Sequence, residues 1–309
     1  MFLIFINDLP LKVLSPLSLF ADDSKIFTRI VDKENEVKIY ENSGKDILQQ
    51  DLCSVLEWAK KWKMEFNVEK CKILHIGNNN PKHKYNMDGK ELIETEKEKD
   101  LGILIDCKLD FGSHIKEIVG RANRMVGLVR AAFACLNKKM FLNLYMALIR
   151  PLLEYCVQVW SPHLQKHINL IEGVQRRATK LVPELRDLPY EERLKKLKLT
   201  TLEERRVRGD MIETYKIITK KEKVNPDNFF QMIPDPEFVG PRTRNKKIYK
   251  KYAKKEVRRC SFTMRVTNGW NGLSNDIINA KKTSEFKARL DAFTAARTLV
   301  KKYGMYSWE

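Results

Sequence analysis

The chain has 309 residues, 43% of them hydrophobic and 32% charged, which is enough apolar material for two or three sub-domains and too much for a disordered tail. Its formal charge of +18 is unevenly placed. Residues 1–100 carry 16 Lys and Arg against 18 Asp and Glu, while residues 101–309 carry 42 against 22. An excess confined to the last two thirds points to a polyanion, because neutralising phosphates releases condensed counterions; an anionic membrane is the rival partner. No apolar run approaches the roughly 20 residues of a spanning helix. "MFLIFINDLP" has no basic leading region and no small-residue cleavage site, so it reads as a core segment cut at its beginning rather than a secretory signal. Cys53, Cys71, Cys107, Cys135, Cys156 and Cys260 are scattered without CxxC or zinc spacing and read as reduced thiols. The expected location is intracellular, nuclear or cytoplasmic, with no membrane.

In chain order, "SLFADDSKIF" reads as two short strands around a turn made by Asp22 and Asp23. Asp favours turns through side-chain bonds to nearby backbone. The sharper reading is a rigid pair of carboxylates for divalent cations. The stretch "ENEVKIYENSGKDILQQDLCSVLEWAKKWKMEF" carries Leu48, Leu52, Val55, Leu56 and Ala59 on one helical stripe. "NVEKCKILHIG" turns to strand, "KHKYNMDGKELI" is a hairpin with Asp88-Gly89 at its turn, and "KDLGILID" is another apolar strand. The first part is therefore α+β, an antiparallel sheet with one helix over it.

Beyond residue 110 the spacing is helical: "IKEIVGRANRMVGLVRAAFACL", then "KKMFLNLYMALIRPLLEYCVQVW" broken near Pro151, then "KHINLIEGVQRRATKLV". More helix follows, and the Pro-rich "NPDNFFQMIPDPEFVGPR" leads into the basic run from Arg242 to Arg259 and a small closing unit. Strand signals stop in this half. Lys116, Arg121, Arg124 and Arg130 lie on one helix; Arg176, Arg177, Lys246, Lys247, Lys250 and Lys251 extend the basic patch, with Tyr249 and Tyr252 interleaved. They read as a phosphate-tracking surface with aromatics for stacking, or as a solvated face. His163 and His167 stand at i and i+4 but lack a third ligand, and are taken as surface or capping residues. Trp58, Trp62, Trp160 and Trp270 read as packing anchors.

Together these stretches resemble the downstream half of a non-LTR (LINE-type) retrotransposon reverse transcriptase, from late palm through thumb to a C-terminal extension. "LSLFADDSKIF" resembles the family's aromatic-Ala-Asp-Asp turn, with Phe20 at the aromatic position; "FLIFINDLP" resembles the segment before it. "FNVEKCKILHIG" is similar to the motif whose Lys, here Lys70, protonates the departing pyrophosphate; from the residues alone it reads as a solvated turn residue. "DLGILID" resembles the primer grip, Leu101, Gly102 and Ile103 within the stretch to residue 105. "LIRPLLEYCVQVWSP", "EGVQRRATKLVPELRDLPYEERLKKLKL" and "SFTMRVTNGWNGLS" resemble later blocks.

The resemblance implies a partial palm over 1–110, a helical thumb over 111–185, a helical connector over 186–225 and a basic extension over 226–309. It implies RNA-directed DNA polymerase chemistry on an RNA and DNA template-primer, with deoxynucleotides and Mg²⁺, and with Asp22 and Asp23 as metal ligands. Two ions about 4 Å apart need several converging carboxylates. The family draws a further Asp from an earlier palm strand, and its fingers also precede "FLIFINDLP". The 309 residues alone are therefore expected to be a truncated, inactive form. A non-catalytic nucleic-acid-binding protein is the alternative.

Overall fold

The computed structural model describes residues 6–30, 44–233 and 246–296. It divides into two compact units, Met1–Leu109 and Asp110–Glu309. The start of "MFLIFINDLP", residues 34–43 of the expected first helix and residues 242–245 of the basic run lie outside the described residues.

The first unit is mixed helix and strand, as expected for an α+β layer. Strands β1 (Leu17–Phe20) and β2 (Asp23–Ile26) form an antiparallel hairpin. Helix α1 (Gly44–Lys61) follows. Its buried face, Leu52, Val55, Trp58 and Ala59, forms a core with Tyr85, Met87 and Leu92, against which Leu17, Leu19, Ile26 and Ile73 are packed. The helix covers the whole apolar stripe but ends at Lys61, before the "WKMEF" end of the stretch read as helical. Lys63 takes a left-handed φ of 53°, the Lys63 N–H donates to Lys60 O at 3.2 Å and the Met64 N–H to Ala59 O at 2.9 Å. This Schellman-type cap satisfies the last carbonyls and turns "MEF" out of the helix.

After α1 come β3 (Lys72–Leu74), β4 (Asn86–Met87), β5 (Lys90–Glu91), β6 (Ile93–Thr95), β7 (Lys97–Asp100) and β8 (Ile103–Asp106). Asp88 and Gly89 form the β4–β5 turn with φ of 50° and 75°, as their turn chemistry predicts. The single antiparallel sheet expected from the sequence is corrected. Among the described residues the strands form four two-stranded ladders, and β3 pairs with β6 in parallel. The segment between them, which includes the β4–β5 hairpin, returns the chain alongside β3 in the same direction.

The second unit is helical. It contains α2 (Gly112–Ala132), α3 (Lys138–Leu144), a π-helical turn (Tyr145–Ile149), α4 (Arg150–Glu154), α5 (Val157–Trp160), α6 (Gln165–Ala178), α7 (Tyr190–Leu197) and α8 (Leu202–Ile218). The predicted break at Pro151 takes the form of that π turn. Proline has no N–H for the helical ladder and its ring crowds the preceding turn, which widens. Ile115, Ile118 and Ala122 of α2 face Ile171, Val174 and Ala178 of α6, all buried.

The chain continues through α9 (Glu256–Arg259), α10 (Phe262–Asn271), α11 (Asn275–Ile278) and α12 (Thr283–Ala296). Helices α10, α11 and α12 share a core with α8: Tyr215 stacks on Phe286 at 4.2 Å, and Trp270 is fully buried beside them. Strand pairing does not stop at residue 110 as expected, because Met232 forms an antiparallel bridge with Ile248. All six cysteines are free thiols, and no helix of the described residues is long and apolar enough to cross a membrane.

Candidate active site and nucleic-acid interface

The acidic hairpin shows why its two aspartates differ. Phe20 pairs with Asp23, so the two-residue turn is Ala21-Asp22, with Ala21 at φ 53°. This corrects the Asp22-Asp23 turn read from the sequence: Asp23 already belongs to β2. Cross-strand pairs alternate between faces. Leu17, Leu19 and Ile26 turn toward the core, which places the Ser18–Lys25 and Phe20–Asp23 pairs on the opposite face. Phe20, Asp22 and Asp23 are all exposed.

The hairpin stands on a polar foundation invisible in its own letters. Asp51, buried on α1, accepts the Leu14 N–H at 2.7 Å and the Ser15 N–H at 2.9 Å on its two oxygens. Trp58, two turns farther along and buried with it, donates Nε1–H to Asp8 at 2.6 Å. Both bonds fix the segment entering β1. They also explain why a helix that reads as simply amphipathic carries a charged residue on its buried face.

Beside the acidic hairpin lies the expected primer-support stretch. Leu101 and Gly102, with φ of 45° and 86°, form the tight turn between β7 and β8, and Ile103 is buried at the start of β8. Two consecutive positive φ values make a type I′ turn, so Gly102 serves the turn. Lys25, on the same face of β2 as Asp23, forms an ion pair with Asp100, the residue just before this turn. The structure thus brings the acidic hairpin and the Leu101-Gly102 hairpin together.

Lys70 is exposed at the end of a 3-10 turn (Val68–Lys70) whose Asn67 side chain accepts the Lys70 N–H at 3.3 Å. The strand that follows it, β3, shares the core of the acidic hairpin through Ile73. As carboxylates, Asp22 and Asp23 suit an oxygen-ligated ion such as Mg²⁺, which takes one or two carboxylates and completes its shell with water and phosphate. Among the described residues no third Asp, Glu, His or Cys joins them within 4.8 Å.

In the second unit Lys116, Arg121, Arg124 and Arg130 are exposed on α2, opposite the buried Ile115, Ile118 and Ala122. Arg176 and Arg177 are exposed but also engaged locally. Arg177 donates Nε–H and Nη2–H to Asn123 Oδ1 at 3.1 and 2.9 Å, and Arg176 lies 4.6 Å above the Tyr190 ring. The block around them is explained by residues the sequence reading passed over. Gln175, fully buried, donates to Tyr190 Oη at 2.8 Å, Thr200 O at 3.1 Å and Glu172 at 3.2 Å, and accepts the Tyr145 hydroxyl. Glu172 also accepts the Leu202 N–H at 2.9 Å. Burial and Glu172 push the Tyr190 phenol far above its ordinary range, so it stays protonated and donates to that carboxylate.

The basic run is held by the "GWN" stretch. Asn271 accepts the Ile248 N–H and donates to Ile248 O, both at 2.9 Å, and Trp270 donates Nε1–H to Lys246 O at 2.7 Å. Ile248 is buried, Lys246 and Lys247 are half-buried, and Tyr249, Lys250, Lys251 and Tyr252 are exposed. The histidines differ from expectation. His163 lies before α6 begins, so the i, i+4 helical pairing does not form. His167 is buried rather than at the surface, because α6 presses it onto the backbone of Gly112, where a Cβ would meet its ring at 3.2 Å.

Comparison with known proteins now bears on this geometry. The chain is similar to the RNA-directed DNA polymerases of mobile elements. It is 26% identical over 170 residues to the RNA-directed DNA polymerase from mobile element jockey of Drosophila melanogaster, covering 54% of this chain and 18% of that protein. It is 25% identical over 183 residues to the probable RNA-directed DNA polymerase from transposon X-element of the same species, covering 57% and 19%. An uncharacterized Caenorhabditis elegans protein is 26% identical over 140 residues, 44% of this chain and 70% of its own length. The chain spans under a fifth of the length of these mobile-element polymerases. No family model and no solved structure matches it.

Proposed function

We propose that this chain is the part of a non-LTR retrotransposon reverse transcriptase that carries the Asp-Asp hairpin, the primer support and a basic helical surface for the template-primer. Residues 1–110 are the partial palm, 111–185 the thumb, 186–225 the connector and 226–309 the basic extension. The observation that carries this reading is the Lys25–Asp100 ion pair, which sets the face of Asp23 beside the Leu101-Gly102 turn. An exposed carboxylate pair next to a rigid apolar hairpin tip is what a primer terminus needs for support.

In this role Asp22 and Asp23 hold Mg²⁺, which activates the primer hydroxyl and neutralises charge on an incoming deoxynucleotide. Lys70 serves as the acid for the departing pyrophosphate, and Leu101, Gly102 and Ile103 support the primer. The 309 residues alone do not polymerise, because the two ions of the reaction need several converging carboxylates and, among the described residues, no third joins Asp22 and Asp23. The exposed cations of α2 together with Lys250 and Lys251, and the half-buried Lys246 and Lys247, bind phosphates of RNA and DNA, which supports a purely nucleic-acid-binding role as the second reading.

The test is the affinity of the purified chain for an RNA–DNA primer-template across salt concentrations. A steep linear fall of log affinity with log salt is expected, and replacing Lys116 and Arg124 by Gln lowers its slope by about two. A flat dependence would remove the phosphate-led interface and this reading with it.

A further inference from the structure

We propose that His163, Glu256 and Cys260 form a zinc site that fastens the segment after α5 to the start of the closing helical unit. Their ligand atoms all lie within 4.8 Å of one another, although His163 is distant in sequence from the other two. Zinc bonds of roughly 2.0–2.3 Å in a tetrahedron set ligand atoms about 3.3–3.8 Å apart. The remaining gap is within the reach of small side-chain rotations, with water in the fourth position. Thiolate, imidazole and carboxylate together select zinc over magnesium or calcium, which take oxygen donors.

The frame around the site is already rigid. Arg265, almost fully buried, donates Nη1–H to Cys260 O at 3.2 Å and Nη2–H to Gln158 O at 3.0 Å, while forming a two-pronged ion pair with buried Asp210 at 2.8 and 3.0 Å. One guanidinium therefore fixes the backbone of the thiol ligand and the backbone just upstream of His163. Such a fork suits Arg, whose planar donors match a carboxylate on one side and leave others free. His163 and Cys260 are half-buried and Glu256 is exposed, so the site opens to solvent on one side and a metal can enter. This inference does not depend on the polymerase reading.

The experiment uses the full chain, stripped by chelator and titrated with Co²⁺ as a spectroscopic stand-in, then with Zn²⁺. One equivalent of Co²⁺ should bind with a thiolate-to-metal charge-transfer band that Zn²⁺ displaces. Cys260→Ser should abolish the band, His163→Gln and Glu256→Gln should each weaken binding at least about tenfold, and Cys156→Ser should leave it intact. Zn²⁺ should also raise the melting temperature of the parent chain and not that of Cys260→Ser. Absence of the band in the parent, its survival in folded Cys260→Ser protein, or parent-like affinity in folded His163→Gln protein overturns the proposal.

Discussion

Lys25 of the acidic hairpin and Asp100 of the neighbouring hairpin form an ion pair that ties the two candidate catalytic elements together. The pair is partly solvated, with side chains 46% and 26% exposed, and exposed pairs contribute less than about 1 kcal/mol. A double-mutant cycle on Lys25→Ala and Asp100→Ala should therefore give a coupling below that figure and a melting temperature close to the parent's. A coupling of several kcal/mol would mean that the hairpins depend on this contact for folding, contrary to the core beneath them.

The stronger anchor is Asp51. Its replacement by Ala strands the Leu14 and Ser15 N–H groups, the buried Ser15 donor costing roughly 1–3 kcal/mol and the part-buried Leu14 donor less. Asp51→Asn, which keeps one acceptor, should cost about half as much. Chemical denaturation of the three proteins checks the order; equal stability of Asp51→Ala and parent would show that the entry to β1 is held otherwise.

His75 provides a pH signature in the first unit. Burial holds its imidazole below the ordinary value of 6.5, with Glu94 acting in the opposite direction. The unfolded chain then takes up a proton that the folded chain does not. Stability is fully present above pH 6.5 and declines as pH falls through that value toward the lowered one, by at most about 1.4 kcal/mol per pH unit for this one group. His75→Gln should flatten that part of the stability profile, measured by urea unfolding between pH 7.5 and 5.

Much of the fold was legible because it rests on local chemistry. Asp88-Gly89 announces its turn through residues that tolerate positive φ, and the stripe from Leu48 to Ala59 announces α1 through its period. Other features follow from contacts that single letters do not encode. Lys63 ends α1 in a left-handed conformation that nothing about Lys requires. Ala21 rather than Asp23 fills the acidic turn, because the register is set by Leu17, Leu19 and Ile26 seeking the core. Asp51, Glu172 and Gln175 look like solvent-facing polar residues until the partners that bury them are known. His163 and Cys260 meet only through the chain fold. The aspartate pair and the basic helix were readable, since charge and motif are local; what supports them was not.

The basic run offers a way to separate charge from order. Asn271→Ala removes both bonds to Ile248 and leaves every Lys in place. It should weaken template-primer binding severalfold while leaving net charge unchanged, because Lys250 and Lys251 lose the backbone anchor at Ile248 beside them. Unchanged affinity and salt slope in fluorescence anisotropy would show that the run binds without being held extended.

The most direct measurement is primer extension by the purified 309-residue chain on a primed RNA template with Mg²⁺ and deoxynucleotides, alongside binding of the same substrate. Salt-sensitive binding without added nucleotides is the predicted result. Extension that disappears in Asp22→Asn or Asp23→Asn protein would contradict it, by showing that these residues assemble a working centre unaided.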